Sequence, residues 1–257
     1  MKILIVGAGK MGRFFTDALS FDHEVGLFDV NKNQLKYIFN AIRISDLKEI
    51  KEFAPEFMIN CSTIKYTIAA FKMVLPYLSK DCVISDIASV KTNLKEFYEN
   101  SGHKFVSTHP MFGPTFASLN DLSHQNAIII KESDSIAKAF FRNLYSKLKL
   151  NIFEYTFEEH DETTSYSLSI PFASTLIFGS VMKHQKAPGT TFKKHMTIAQ
   201  GLMSEDDFLL QEILFNPNST YQIERIMDKL GELYDIIKEQ DTSEMHKFLQ
   251  NVRENIK

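Results

Sequence analysis

The sequence predicts an α/β domain over residues 1–155 followed by an all-α domain over residues 156–257. Three observations predict it. The chain opens on an unbroken apolar run, ILIV at 3–6, as a strand buried on both faces of a parallel sheet requires. Strand-like and helix-like segments then alternate as far as Tyr155. Past that residue no strand pattern recurs, and apolar residues return at threes and fours, as in Ile223, Ile226, Met227, Leu230 and Leu233.

Directly after the first strand comes Gly7-Ala8-Gly9-Lys10-Met11-Gly12, a G-x-G-x-x-G. Gly7 permits a tight turn, Gly9 lets backbone approach a pyrophosphate, and Gly12 lets the next helix pack close to the strand. Amide groups at that helix N-terminus would face the phosphates, where the helix dipole favours anions. A helix over 13–19 and a strand over 24–28 follow, and the strand ends at Asp29, 22 residues after Gly7. An acid placed there meets the adenosine ribose hydroxyls. The context is that of a Rossmann-type dinucleotide-binding domain. A carboxylate at 29 repels a 2′-phosphate, and Lys32 is the one cation in the run that follows, so NAD is expected over NADP.

The elements continue with a helix over 34–40, a strand over 41–44 and a helix capped by Ser45-Asp46 and running to Glu52. A fourth strand over 57–61 leads to Ser62 and Thr63, which either line the second half of the cofactor or cap a helix over 68–78. A strand over 82–86, a helix over 93–100 and a strand over 104–107 come next. Two prolines and a glycine then make 108–115 a rigid loop around His109. Strands over 127–131 and 151–155, with a helix over 136–148 between them, complete the sheet. The all-α part reads as helices over 158–183, 192–215, 221–240 and 243–255, with a loop over 185–191.

Composition narrows the function. With 44% hydrophobic and 24% charged residues the chain is an ordinary globular protein. A net charge of −3 and the lack of a basic cluster exclude a nucleic-acid surface. Its apolar runs fall far short of the roughly twenty residues of a membrane span. The N-terminus enters a core strand at once, leaving no room for a signal peptide. Cys61 and Cys82 lie in strand-like segments and read as free thiols of a reduced cytoplasm, not as disulfide or metal ligands.

His109 is the catalytic candidate. It lies past the carboxyl end of a strand, where ligands of such sheets bind, and an imidazole near neutrality can take a proton from a substrate hydroxyl as hydride leaves the same carbon. Ser89 either hydrogen-bonds that hydroxyl or the imidazole, or caps a helix. Lys91 would attract an anionic substrate.

Asp86-Ile-Ala-Ser89-Val-Lys91 and Ser107-Thr108-His109-Pro110-Met111-Phe112-Gly113-Pro114 together resemble the prephenate dehydrogenase (arogenate/cyclohexadienyl dehydrogenase) family. With the N-terminal GAGKMG and Glu159-His160-Asp161, the resemblance covers most of the chain. It implies an NAD(P)-dependent oxidative decarboxylation in tyrosine biosynthesis, with hydride leaving C4 of the cyclohexadienol ring and carbon dioxide leaving C1. By motif, His109 would deprotonate the C4 hydroxyl, Ser89 would orient it, and His160 would lie at the interdomain cleft. It also implies a homodimer through the helical domain.

The chain departs from the family twice. Many members carry a second histidine where this sequence has Phe172, and an arginine for a substrate carboxylate where it has Gln200 or Gly201. Neither replaces a bidentate guanidinium. Lys183, Lys193, Lys194 or His195 would supply the cation instead, or they form a solvated basic face. An acid among Glu205, Asp206 and Asp207 would favour the amine of arogenate, although Ser204-Glu205-Asp206-Asp207 also reads as a helix start. The remaining alternative is an NAD-binding sensor without turnover. The chain is too short for a fused chorismate mutase or a terminal regulatory domain of the kind some relatives carry.

Overall fold

The computed structural model describes residues 1–113, 121–205 and 207–257; Pro114, Thr115 and Asp206 lie outside the described residues. Eight strands form one sheet: β1 (Lys2–Val6), β2 (Glu24–Phe28), β3 (Ile42–Ile44), β4 (Phe57–Asn60), β5 (Val83–Asp86), β6 (Phe105–Pro110), β7 (Asn126–Ile130) and β8 (Asn151–Tyr155). Their order is β3-β2-β1-β4-β5-β6-β7-β8. All neighbouring pairs are parallel except β6 with β7. The order of connection reverses between β1 and β4, which opens a crevice at the carboxyl ends of those strands.

Helices α1 (Lys10–Leu19), α2 (Leu47–Phe53), α3 (Thr67–Val74), α4 (Leu94–Ser101) and α5 (Ser135–Lys147) connect the strands. Successive residues of β1 point to opposite faces, and both faces are covered. Ile3 and Ile5 join a core with Phe15, Leu27, Phe141 and Tyr145. Leu4 and Val6 join another with Phe71, Ile84, Tyr98 and Phe157. This double burial explains why β1 reads as a continuous apolar run.

The all-α part holds α6 (Phe157–Thr164), α7 (Ile170–Val181), α8 (Thr190–Leu202), α9 (Asp207–Leu214), α10 (Ser219–Glu239) and α11 (Thr242–Asn255). No strand follows Tyr155 among the described residues. The chain forms two compact units, Met1–Thr164 with Met203–Glu212, and Ser165–Leu202 with Ile213–Lys257. Among the described residues no helix is long and apolar enough to cross a membrane.

Four expected elements come out differently. The helix over 34–40 is a single 3-10 turn, Lys32–Leu35, which Asn31 opens by accepting from the Asn33 amide. The Asn31 side chain takes a backbone amide that a longer helix would use, and Asn40 bonds Asp17 of α1 and Ser20 just after it instead. The helix over 158–183 is interrupted by a π turn at Ser165–Ser169 before α7 resumes. Pro171 has no N–H to offer the preceding turn, so the ladder is re-spaced there. The helix over 192–215 divides into α8 and α9, with Met203 and Ser204 in a turn. The strand expected over 104–107 runs on to Pro110, into the segment expected to be loop.

Candidate active site

Three strand ends are tied together where the first glycine turn begins. The Gly7 amide donates to the Phe28 carbonyl at 2.8 Å, and the Cys61 amide to the Val6 carbonyl at 2.8 Å. Gly7 has φ +102°, and a Cβ there would lie 2.9 Å from the Cys61 carbonyl. A Cβ on Gly12 would overlap the Gly7 carbonyl oxygen, whereas one on Gly9 would meet nothing within 4 Å. Gly7 and Gly12 are therefore required by the fold, and Gly9 leaves open space above the turn. Helix α1 starts with no side-chain cap and no acidic residue in its first turn. The amides of that first turn face the position a bound anion would take.

Asp29 closes the turn from the side. Its carboxylate accepts from the Ala8 amide at 2.7 Å and from the Asn31 amide at 2.8 Å. The acid is thereby held beside the turn as a ribose ligand must be. These features fit an adenine dinucleotide. Arg13, which sequence reasoning passed over in counting Lys32 alone, is also here: its guanidinium donates to the Ala8 carbonyl at 3.1 Å and to the Gln34 carbonyl at 3.0 Å. The signal was available, since Arg13 lies one helical turn after Gly9.

At the end of β4, Ser62 turns its hydroxyl and its amide to the Asn60 side chain, at 2.6 and 3.1 Å. The exposed Thr63 makes no side-chain cap, and neither residue caps α3, which begins at Thr67. Ser89 sits half-buried in the bend after β5. It is too far ahead of α4, which starts at Leu94, to be its N-cap.

His109 stands on β6, opposite Ile128 of the antiparallel β7, and not in a loop. Pro110 is tolerated because it is the last residue of the strand, and Met111 resumes bonding to the Asn126 carbonyl at 2.9 Å. The His109 ring is 6% exposed, and its Nδ1 is 3.0 Å from Nε2 of His160, which is fully buried. His160 Nδ1 lies 3.0 Å from the Asp161 carboxylate. That carboxylate also accepts from the Lys91 amide at 3.3 Å. Burial pushes His109 well below the usual histidine range, and the neighbouring His160 ring and the Lys91 ammonium push the same way. Burial lowers His160 too, against the pull of Asp161.

Two residues expected to touch substrate are engaged elsewhere. Lys91 is 2% exposed, and its ammonium donates to Asp86 at 2.6 Å and to the Thr108 carbonyl at 2.8 Å. The other oxygen of Asp86 accepts from the Tyr98 hydroxyl at 2.6 Å. Lys91 is thus a strut between the tips of β5 and β6 and has no cation left to offer a ligand. His160 has both ring nitrogens bonded and no exposed surface. Sequence reasoning gave no role to Asp161 or Tyr98, which reach Lys91 and Asp86 from α6 and α4 only in the folded chain. Gln200 lies exposed on α8 in the second unit. It lines a cavity of about 310 Å³ together with Met182, His184, Phe192 and Lys193.

A glycine turn that fits a dinucleotide, with a buried histidine at the carboxyl edge of the same sheet, is the arrangement of a Rossmann-type dinucleotide-binding domain. The family model for the prephenate dehydrogenase nucleotide-binding domain matches residues 19–148, and the chain belongs to that family. A probable arogenate/prephenate dehydrogenase of Methanocaldococcus jannaschii is 23% identical over 193 residues, 69% of this chain and 43% of the relative. Arogenate dehydrogenase 1, chloroplastic, of Arabidopsis thaliana is 22% identical over 244 residues, 88% of this chain and 38% of the relative. The chain thus spans less than half the length of these curated relatives. Among solved structures, prephenate dehydrogenase from Aquifex aeolicus, in complex with hydroxyphenyl propionate and NAD+, superposes with a TM-score of 0.84. It is 22% identical and is covered over 96% of its length by 99% of this chain, a likeness of fold.

Proposed function

We propose that this protein is an NAD-dependent prephenate dehydrogenase of the cytoplasm. The observation that carries the reading is His109, a buried imidazole kept low in basicity at the carboxyl edge of a sheet whose glycine turn fits a dinucleotide. Gly7 to Gly12, Asp29, Ser62 and Thr63 would hold NAD, which when bound supplies the hydride acceptor. Asp29 favours the free ribose hydroxyls of NAD, and Arg13 is drawn to Gln34.

His109 takes the proton of the C4 hydroxyl as the hydride leaves C4, so that a carbonyl forms there. The electrons of the C1–carboxylate bond then enter the ring, carbon dioxide departs, and His109 returns its proton to the oxygen, giving 4-hydroxyphenylpyruvate. Ser89, free of a capping duty, orients the same hydroxyl. The helical part, 156–257, would carry the substrate carboxylates, with Lys193 beside Gln200 in place of an arginine. It would also form a homodimer, a reading supported by the stripe Met227, Leu230, Tyr234 and Ile237, each 58–65% exposed along α10.

The test is NADH formation with prephenate and with arogenate, each with NAD and with NADP. Turnover of prephenate with NAD is expected. Turnover of arogenate alone would move the substrate within the family. No turnover of either, in protein that binds NADH, would leave a sensor.

A further inference from the structure

A carboxylate accepts hydrogen bonds and cannot donate one. The 3.0 Å contact between Asp161 and His160 Nδ1 therefore places the hydrogen of a neutral His160 on Nδ1. Its Nε2 is then a lone pair, and that lone pair is 3.0 Å from His109 Nδ1. The hydrogen of His109 must sit on Nδ1 to make this bond. Among the described residues no hydrogen bond reaches His109 Nε2. The Thr164 hydroxyl lies farther from His160 Nε2, at 3.4 Å, than His109 Nδ1 does.

We propose that Asp161 and His160 are positioning residues that fix the tautomer of His109, so that its Nε2 always presents a lone pair to the substrate hydroxyl. The inference rests on His109 being the base of the proposed reaction, yet it concerns hydrogens that exist without substrate. With the opposite order, in which His160 donates to His109 Nδ1, His109 Nε2 would carry a hydrogen and accept nothing. Asp161 excludes that order while His160 is neutral. Burial and the nearby Lys91 ammonium favour the neutral form of His160, although Asp161 and Asp86 pull the other way. When His109 takes the proton, His160 and Asp161 stabilise the cation along the same bonds, as the carboxylate of a catalytic triad does.

The decisive experiment is imidazole 15N NMR of the free enzyme, with His109 assigned by comparison with His109→Asn. Expected is a hydrogen on Nδ1 of His109 in the wild type. In Asp161→Asn the side-chain amide can donate to His160, and the hydrogen of His109 should move to Nε2. The same variant should lose at least about 100-fold in kcat, as when the orienting carboxylate of a triad becomes an amide. Its KM and NADH affinity should stay within about two-fold, because neither residue touches a ligand. His160→Gln, whose carbonyl oxygen can still accept from His109 Nδ1, should keep more activity than His160→Leu.

A hydrogen on Nε2 in the wild type overturns the proposal, as does an unchanged tautomer or full turnover in Asp161→Asn. Should Asp161→Asn fail to fold, the wild-type spectrum decides. If the expected tautomer is seen but prephenate is not oxidised, the substrate assignment fails and the order of hydrogens stands.

Discussion

His109 combines two requirements that a surface histidine could not meet. It is fixed by its strand pairing with Ile128 of β7, and its burial raises the cost of its charged form. His109→Asn keeps the size and a hydrogen bond but removes the base. It should lower kcat by about 10²–10⁴-fold, the usual share of a general base, and leave NADH affinity unchanged in a fluorescence titration. The groups facing the ring are His160, Lys91 and, through them, Asp161 and Asp86. Burial and Lys91 outweigh the acids, so the acid limb of kcat/KM should lie below the ordinary histidine value of about 6.5. A limb at or above that value would mean that the base is exposed. The glycines give an equally local contrast. Gly9→Ala meets no atom in the fold, so it should leave the melting temperature unchanged while weakening NADH binding. Gly12→Ala must displace the Gly7 carbonyl and should lower both. If Gly9→Ala binds NADH like the wild type, the pyrophosphate does not pass over that glycine.

Between β5 and β6 the elements are joined by a buried ion pair, Lys91 with Asp86, completed by Tyr98 and the Thr108 carbonyl. Removing one partner of such a pair leaves a charge in a dry site, so Lys91→Met should cost about 3–5 kcal/mol in urea unfolding. Adding Asp86→Leu should restore part of that loss. No recovery would show that the hydrogen bonds of Asp86 to Tyr98 and to the Ala88 amide matter more than the charge balance. This pair also marks where sequence reading stopped. The glycine turn, Asp29 and the alternation of elements are legible because each depends on residues near in sequence. The parallel sheet is legible because its central strand β1 is apolar from Ile3 to Val6, buried on both faces. Lys91 reads as a free cation because its partners, Asp86 and the Thr108 carbonyl, meet it only when β5 and β6 are side by side. His109 reads as a loop residue because Pro110 and Gly113 hide the antiparallel partner, β7, that arrives later in the chain. The π turn before Pro171 and the short 3-10 turn after Asp29 are breaks in helical patterns that the apolar spacing alone carries through.

For the molecule as a whole, the buried histidines make stability depend on pH. His109 and His160 are both held below their ordinary pKa, and burial lowers His23 as well. A lowered value means that the unfolded chain binds protons that the folded chain refuses. Unfolding free energy therefore rises with pH in the interval between the folded and unfolded values. Their contribution is fully present above the unfolded value of about 6.5 and is lost as pH falls from there toward the folded values. Urea midpoints should accordingly decline between about pH 7.5 and about pH 5, beyond what the exposed carboxylates contribute. His109→Asn removes one of the refused protons and should flatten the decline, leaving the shares of His160 and His23. Equal slopes for wild type and variant would show that His109 titrates in the folded protein as it does in the unfolded chain. The neutral form that His109 needs in order to accept a proton would then have to be enforced only when the substrate is bound.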